Sequence, residues 1–378
     1  MSATVLTLSE TIRMDDLVNQ QVHTLTLPEP YGSGLSCAAS YSGMIADLAA
    51  GDLPLAIRLA NHLTSAWGLR MMQAEAGNPI DSCFANIRSK GMLLASLNEI
   101  DFNEREPETS GGGGAIQATA AEGGMRFNGV RQRVHMDAHV QYLPMCGIIH
   151  DKNGSSSFAV AVIPITREGV SMQRCPDVCQ SDEAGFTAIE SYSVRLQDVF
   201  VPNNELVSFT GQESALLERF LLLHRLNVSA IYLGIAKSAL ACACDSAKAS
   251  FVPQWGLPLS RFPGTQFLVA DAAILLEACE SQLYTYSSRI NELFSGGGDG
   301  RELVADTGLL TMEYMVTATQ KIVNYAMKIA GISSIRANHP LAKLYGTLKS
   351  SSFDLGQMES DDNREQLARA LLRSASAG

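Results

Sequence analysis

The chain has 378 residues, of which 46% are hydrophobic and 18% are charged, which is enough for two or three packed layers or domains of a globular protein. Its formal net charge of −11 argues against a nucleic-acid partner, because phosphates demand a basic binding face. The N-terminal segment lacks the basic and apolar regions of a secretory signal. No run approaches the roughly 18 apolar residues that span a bilayer. We therefore expect a cytoplasmic protein with no membrane partner.

Eight cysteines are scattered along the chain without paired Cys-x-x-Cys blocks. Cys175 and Cys179 are spaced like half of a metal site, but no second pair with zinc spacing follows them. We therefore predict ordinary reduced thiols and no bound metal.

The first zone of the chain, residues 1–92, carries helical periodicity, because apolar residues recur at spacings of three and four between residues 44 and 69. The second zone, residues 93–210, changes to a period of two. Its clearest strands are predicted at residues 158–165 and 194–202, each with a proline at or near its end.

The third zone, residues 211–378, returns to long apolar helices, which suit a helical bundle. These helices are predicted at residues 216–244, 265–293 and 309–330. A glycine tract at residues 296–300 is predicted as the loop between two antiparallel helices. A second tract, at residues 111–114, has no lysine and no P-loop pattern after it, so we expect a flexible loop there rather than a nucleoside triphosphate site.

Two stretches of the third zone carry a family pattern. Residues 266–271 read Gln-Phe-Leu-Val-Ala-Asp, and residues 326–345 contain a helix that ends in glycine before a Pro-Leu-Ala-Lys-Leu-Tyr helix. Together with the order helix, strand, helix, this pattern resembles the acyl-CoA dehydrogenase family. The resemblance implies an α+β fold with an N-terminal helical domain at 1–92, a middle β-barrel or β-sandwich domain at 93–210 and a C-terminal four-helix bundle at 211–378.

The resemblance also implies FAD as the cofactor and a homodimer or homotetramer, since FAD in this family contacts two subunits. Residues 128–136 resemble the Asn-Gly strand of the family: the Asn-Gly turn is kept, Arg131 replaces a lysine, and backbone amides hold the flavin ring whatever the side chain. The cofactor-binding residues carried over from the family are Thr119, Arg131, Val134, His135, Met136, Arg261, Gln266 and Gly331.

Two positions depart from the family's cofactor pattern. Val252 stands where the family has an arginine before an aromatic-glycine pair, and Arg261 could substitute for it in space. Ile332 replaces the second glycine of a Gly-Gly pair, so only Gly331 is kept. The alternative interpretation is that Gln266 and Gly331 only cap and space helices.

The family's catalytic glutamate usually stands just before a Gly-Thr pair, where this chain has Leu355 before Gly356 and Gln357. A subset of the family places its glutamate on the first bundle helix instead, where this chain has His224 and Arg225. His224 is therefore the candidate acid/base residue, because an imidazole relays protons near neutral pH. Its alternative role is that of a bundle histidine bound to a neighbour.

Arg225 also has two interpretations. It is a candidate substrate residue that meets a phosphopantetheine phosphate, or a structural partner of an acidic residue.

Three functions are compatible with these residues. The first is an FAD-dependent dehydrogenase that oxidises an acyl thioester on CoA or an acyl carrier protein. Here the chain most resembles enzymes that make hydroxymalonyl or aminomalonyl units from glyceryl or seryl carrier proteins, in polyketide or nonribosomal peptide biosynthesis. The second is a flavin monooxygenase or N-oxygenase, which also lacks the glutamate. The third is a non-catalytic interaction protein that has lost its cofactor and stays colourless after incubation with FAD.

Overall fold

A computed structural model describes residues 13–76, 80–97, 116–136, 138–150, 156–175, 191–208, 213–296, 300–336, 338–354, 364–365, 367–368 and 372. The helices are α1 (Met14–Asn19), α2 (Ala38–Gly51), α3 (Leu53–Ala76), α4 (Asp81–Lys90), α5 (Glu213–Ala249), α6 (Pro263–Phe294), α7 (Arg301–Ala330) and α8 (Pro340–Asp354). The strands are β1 (Leu93–Leu94), β2 (Gln117–Ala121), β3 (Gly124–His135), β4 (Val140–His150), β5 (Ser156–Pro164), β6 (Val170–Arg174), β7 (Ser191–Pro202), β8 (Leu206–Ser208), β9 (Phe251–Val252) and β10 (Leu257–Pro258).

The N-terminal region is helical, as its periodicity predicts. Helix α3 buries Leu55, Leu59, Leu63 and Trp67, which are spaced by four residues and therefore share one face of the helix. This face packs against α2 and α5. The N-terminal helices are therefore joined to the C-terminal bundle through a common core.

The middle region forms one eight-stranded mixed sheet in the order β6-β7-β3-β2-β4-β5-β8, with β1 paired to β4. The strands predicted at residues 158–165 and 194–202 are confirmed as β5 and β7. Strand β2 pairs antiparallel with β3 and parallel with β4, so it joins the two halves of the sheet. The sheet lies between two helical regions, which confirms the predicted α+β class.

Three long helices dominate the C-terminal region, and they confirm the helices predicted from the sequence. Helices α5, α6 and α7 have 37, 32 and 30 residues, and the shorter α8 packs against α5 and α7. The glycine tract at residues 296–300 lies between α6 and α7. These helices form the C-terminal bundle.

Part of α5, from Glu218 to Ala249, is long and apolar enough to cross a membrane by length and composition alone. Its most apolar window is 72% buried inside the structure. That burial is typical of the core helix of a soluble protein, so this helix is weak evidence for a membrane span.

The secondary structure changes from helix to strand between Lys90 and Leu93, and from strand to helix between Ser208 and Glu213. The apolar core does not follow these changes. One buried cluster joins residues from Met14 to Leu348, including residues of all three regions. The division of the chain into domains at residues 92 and 210 therefore stays a prediction of the sequence.

Candidate functional site

His224 lies in the N-terminal half of α5, where the chain packs against α6 and α7. Its neighbours Leu223 and Leu226 are buried, and His224 itself is half-buried. Its place on a packed helix fixes its backbone, while partial exposure leaves the side chain within reach of a small molecule. The geometry is compatible with the predicted acid/base role, which stays a prediction.

Arg225 is only 7% exposed and lies inside the bundle. Its Nη1 donates a hydrogen bond to the carbonyl oxygen of Ala305 on α7, over 3.4 Å. Its charge also lies near Tyr286 on α6, so that burial raises the pKa of Tyr286 and Arg225 partly offsets this effect. This placement favours the structural role of Arg225 over contact with a phosphopantetheine phosphate.

Tyr286 explains why the three helices approach closely beside His224. Its hydroxyl donates to the carbonyl oxygen of Leu222 on α5, over 2.8 Å. Its ring covers Gly308 on α7, where an added Cβ would lie 2.6 Å from the Tyr286 hydroxyl oxygen. Tyr286 therefore holds α5, α6 and α7 together around the His224 segment.

Arg131 was predicted to contact the cofactor, and the structure gives its guanidinium other partners. Nη1 donates to the carbonyl oxygen of Ser96 over 2.6 Å, and Nη2 donates to the hydroxyl of Ser96 over 2.8 Å and to the carbonyl oxygen of Leu97 over 3.2 Å. These bonds tie β3 to the segment that follows β1. Arg131 therefore has a structural role that the sequence did not indicate.

The remaining β3 candidates could offer backbone groups to a cofactor. The side chains of Val134 and Met136 are buried in the core, at 0% and 6% exposure. The backbone of His135 pairs with Ser191 of β7, and its side chain lies outside the described residues. A flavin at this position would depend on main-chain contacts, as the sequence analysis expects.

The Asn128-Gly129 pair, interpreted from the sequence as a turn, lies within strand β3. The side-chain oxygen of Asn128 accepts a hydrogen bond from the backbone amide of Asp198 over 2.7 Å, and Asp198 has a left-handed φ of 54°. The pairing of β3 with β7 shifts register at this point, which is a β-bulge. The turn interpretation is wrong because the amide of Asn128 stabilises a bulge instead.

Thr119 lies on β2 with its side chain exposed to solvent. Its hydroxyl donates a long hydrogen bond of 3.4 Å to the carbonyl oxygen of Arg126 on β3. The hydroxyl oxygen keeps lone pairs for another donor. Thr119 therefore remains available to a ligand on the exposed face of the sheet.

Arg261, Gln266 and Gly331 are brought together at one end of the bundle. Near the α6–α7 connection Tyr286 covers Gly308, and Arg289 donates to Thr307. Continuing this antiparallel register away from the connection places the first turn of α6 beside the last turn of α7. This register puts the residues predicted separately on α6 and α7 at the same end of the bundle.

The end of the bundle at Arg261, Gln266 and Gly331 is exposed to solvent. The side-chain amide of Gln266 donates to the carbonyl oxygen of Ser260 over 3.1 Å, in the 3₁₀ turn that contains the exposed Arg261. Gly331 ends α7 with a φ of +67°, which favours glycine, and an added Cβ would meet nothing within 4 Å. A ligand could therefore approach the main chain at Gly331 closely.

These groups can be compared with the needs of a flavin dinucleotide. The open main chain at Gly331, the exposed guanidinium of Arg261 and the amide of Gln266 fit its polar half, which needs hydrogen-bond donors and positive charge. The hydroxyl of Thr119 adds a polar group on the sheet. The groups at the bundle end and on β2 are compatible with the cofactor, while the described bonds of Arg131 go to Ser96 and Leu97, and its cofactor role stays a prediction.

Two cations next to Gly331 were missed by the sequence analysis. Lys328 lies on the last turn of α7, and Arg336 follows the 3₁₀ turn Gly331–Ile335; both are exposed. The signal that could have found them is the absence of Asp and Glu from residues 314–353. The bundle end is therefore more positive than the chain as a whole.

Some predicted features lie outside the described residues, namely the glycine tract at residues 111–114 and the Leu355-Gly356-Gln357 segment. Among the described cysteines none forms a disulfide. Within the described ranges, no three His, Cys, Asp or Glu side chains are grouped to hold a metal ion.

Comparison with known proteins supports the family resemblance. Residues 226–345 match the family model described as acyl-CoA dehydrogenase, C-terminal domain. A relative from Bacillus subtilis (strain 168) that bears an acyl-CoA dehydrogenase name, YdbM, is 24% identical over 328 residues, which cover 85% of this chain and 79% of that protein.

Solved structures share the fold at low sequence identity. Butyryl-CoA dehydrogenase from Megasphaera elsdenii has a TM-score of 0.77 at 19% identity, covering 95% of this chain and 89% of that chain. FkbI, a protein for biosynthesis of the methoxymalonyl extender unit of the polyketide Fk520, has a TM-score of 0.74 at 16% identity, covering 96% of this chain and 93% of that chain.

Homologues in the acyl-CoA dehydrogenase family are FAD-binding flavoproteins. The family model covers the helices that carry the bundle-end residues, and the structural likeness extends over nearly the whole chain. The chain therefore has the acyl-CoA dehydrogenase-like fold, and its similarities support a place among the oxidoreductases of the acyl-CoA dehydrogenase superfamily.

Proposed function

We propose that this chain is an FAD-dependent dehydrogenase that oxidises an acyl thioester carried by CoA or by an acyl carrier protein. The observation that carries the proposal is the fold: helical regions enclose a middle sheet domain, and butyryl-CoA dehydrogenase has the same arrangement over 95% of this chain. A bundle end that offers hydrogen-bond donors and positive charge suits the polar half of a flavin dinucleotide.

The cofactor would be held by main-chain groups at residues 134–136, by Thr119 and by Arg261, Gln266 and Gly331 at the bundle end. Bound FAD supplies a hydride acceptor, which no amino-acid side chain can replace. The protein's part is to bind and orient the thioester, exclude water and handle the proton.

His224 is proposed to handle that proton. When the substrate carries a hydroxyl group at the carbon to be oxidised, its O–H proton passes to a ring nitrogen of His224 as the carbon loses hydride. Arg225 positions His224, because its bond to Ala305 and its place beside Tyr286 fix the adjacent turn of α5. With His224 as the proton acceptor and Arg225 as its positioning residue, the reaction needs no glutamate at position 355, where this chain has leucine.

The finer substrate assignment is a hydroxyacyl group, seryl or glyceryl, on an acyl carrier protein of polyketide or nonribosomal peptide biosynthesis in the cytoplasm. The replacement of the usual glutamate by leucine supports it, because oxidation at a C–O carbon has less need of an α-carbon base. The similarity of fold to FkbI, a protein of extender-unit biosynthesis, is compatible with this assignment.

Self-association is part of the proposal. Large apolar side chains are exposed at the bundle end and along α6, and a contiguous apolar surface usually marks an interface. They are Phe251, Trp255, Leu257, Phe267, Ile274, Tyr284, Ile332 and Ile335. A second copy covering this surface would form the homodimer or homotetramer expected from the resemblance.

The visible absorption spectrum of the purified protein, before and after FAD addition and desalting, tests the proposal. We expect stoichiometric flavin bands, and anaerobic bleaching of these bands by seryl- or glyceryl-carrier protein but not by butyryl-CoA. Bleaching by butyryl-CoA instead would retain the dehydrogenase and reject the finer substrate. A protein that stays colourless would reject the enzyme, and rapid oxygen consumption with a hydroxylated product would assign a monooxygenase.

A further inference from the structure

The distribution of charge along the C-terminal helices is uneven. The chain carries a net charge of −11, yet residues 314–353 contain no Asp or Glu. The same residues include five cations, all exposed, namely Lys321, Lys328, Arg336, Lys343 and Lys349. A positive surface on an acidic protein attracts an anion locally, against the repulsion of the whole chain.

Three exposed cations lie at the end of the bundle that carries the open main chain of Gly331. Lys328 precedes Gly331 by three residues, which is less than one helical turn. Arg336 follows the 3₁₀ turn that begins at Gly331. The α6–α7 register places Arg261, just before α6, at the same end of the bundle. The fold thus places Arg261 and Arg336, which are 75 residues apart in the chain, at the same end of the bundle.

In the described part of the chain, Arg261, Lys328 and Arg336 form no ion pair with a carboxylate. The ammonium of Lys328 lies 5.8 Å from the centre of the Tyr325 ring, a cation–π contact that leaves its donors exposed. The exposed acids at this end include Asp271, on α6 more than one turn beyond Gln266, and Asp245, near the end of α5; in the described structure neither forms an ion pair with these three cations. Positive charge at Gly331 therefore remains largely uncompensated.

Val252, by contrast, provides no charge. It is half-buried in the hairpin of β9 and β10, where it pairs with Leu257. A flavin dinucleotide brings two phosphate groups that need cationic donors, and guanidinium groups bind phosphate oxygens with particular strength. Those donors must come from elsewhere at the bundle end.

We infer that Arg261, Lys328 and Arg336 bind the diphosphate of the flavin dinucleotide, with the open main chain of Gly331 allowing its close approach. This inference rests on the proposed function, because it names the residues that hold the cofactor of that function. It predicts that the three cations contribute to binding of FAD and ADP, which carry the diphosphate, and not to binding of riboflavin, which lacks it.

The test compares the flavin-free wild-type chain with the Lys328→Ala/Arg336→Ala double variant. Dissociation constants for FAD and riboflavin are measured by quenching of flavin fluorescence, and ADP is tested as a competitor. We expect FAD to bind at least about ten-fold more weakly to the double variant, from the loss of two charge-assisted contacts. We expect unchanged riboflavin affinity and weaker competition by ADP.

A matched control is Lys321→Ala, which removes an exposed cation from the same face of α7 about 10 Å farther from Gly331 than Lys328. This variant should bind FAD like the wild type. The charge-conserving variant Lys328→Arg/Arg336→Lys should recover most of the affinity. If the double variant fails to fold, the single variants Lys328→Gln and Arg336→Gln replace it in the same measurement. Each should bind FAD more weakly than the wild type.

Three outcomes would overturn the inference. Equal FAD affinity in the wild type and the double variant would reject the diphosphate site while leaving the flavoenzyme intact. An equal loss of riboflavin and FAD affinity would show that the side chains act through the fold. A wild-type chain that binds no FAD would reject this inference and the proposed function together.

Discussion

Gly234 of α5 lies directly against Ala49 of α2, at a crossing where the two helices leave no room for a side chain. A Cβ built at Gly234 would overlap the Cβ of Ala49 and lie 2.6 Å from the carbonyl oxygen of Ala46. This crossing joins the N-terminal helices to α5, the bundle helix that carries His224 and Arg225.

Gly234→Ala should therefore destabilise the protein by about 1–3 kcal/mol, the usual cost of overpacking a tight contact. The matched change is Gly43→Ala, in the exposed face of α2 with nothing within 4 Å of the added Cβ. It should raise the unfolding free energy by about 0.5–1 kcal/mol, because alanine suits a helix better than glycine. Urea unfolding of both variants measures the difference, and equal stabilities would contradict the tight crossing.

His62 should make stability depend on pH. It is fully buried, its Nε2 donates to the carbonyl oxygen of His23 over 2.8 Å, and its Nδ1 accepts from the amide of Leu94 over 2.9 Å. Burial lowers the pKa of His62 from 6.5 to about 3. Between pH 6.5 and about 3 the unfolded chain binds a proton at His62 and the folded chain does not. The contribution of His62 to the unfolding free energy is therefore fully present above pH 6.5 and is lost as the pH falls below it.

Once the pH is well below 6.5, protonation of His62 in the unfolded chain lowers the unfolding free energy by about 1.4 kcal/mol per pH unit. Unfolding free energies at pH 7, 6 and 5 measure this loss in the wild type. His62→Gln keeps a donor and an acceptor but does not titrate, so its stability should change less over the same range. A variant with the wild-type slope would show that other groups cause the pH dependence.

The comparison of sequence and structure shows which features a linear pattern can predict. The long helices were predictable because apolar residues repeat along α5, α6 and α7, and the strands β5 and β7 because their pattern has a period of two. The grouping of Arg261, Gln266 and Gly331 needed the register of α6 against α7, which no local pattern contains.

Polar side chains were harder to assign from sequence. Arg131 binds Ser96 and Leu97 from another segment of the chain, and Asn128 accepts from the amide of Asp198, 70 residues away. Such bonds depend on which strands pair, so the residue type alone could suggest a cofactor contact or a turn. Arg225 could be assigned to the bundle interior only once α7 was placed beside it.

Cys37 should be the most reactive of the described cysteines. It is exposed at the N-cap of α2, and hydrogen bonds from the Ser40 side chain and backbone lower the pKa of its thiol, with a further contact from Asn291. Burial raises the pKa of Cys83 and Cys146 to about 12. Burial raises the pKa of Cys279 to about 12 as well, and because thiolates are the reactive form, these three cysteines should react slowest.

Timed alkylation with iodoacetamide at pH 7.5, followed by peptide mass spectrometry, ranks the thiols. Ser40→Ala should slow the modification of Cys37, because it removes the side-chain hydrogen bond that most lowers the pKa. Slower alkylation of Cys37 than of Cys83 would contradict the assignment.

Trp255 and Phe267 should contribute to the contact between subunits. Each is 70% exposed, on the β9–β10 hairpin and the first turns of α6 respectively. Trp255→Asp and Phe267→Asp should shift the protein toward monomers, because a carboxylate in an apolar interface loses its hydration. Sedimentation velocity measures the shift, with Met172→Asp on β6 as the control. A monomeric wild type would reject the interface.

His224→Ala tests the chemistry of the proposed dehydrogenase. General acid/base catalysis contributes about 10²-fold or more, so kcat should fall by at least that factor while the melting temperature and the flavin content stay near wild type. Because His224 is half-buried, its truncation should cost less stability than substitution of the buried Arg225 would.

The pH profile separates a proton-transfer role for His224 from a structural one. If His224 accepts the substrate proton, the wild-type rate should fall on the acidic side as the imidazole is protonated, and this limb should disappear in His224→Ala. His339→Ala, at the start of α8, should keep both rate and profile. Wild-type turnover in His224→Ala would remove His224 from the mechanism, and the proton would then have to leave the substrate through solvent or through another side chain.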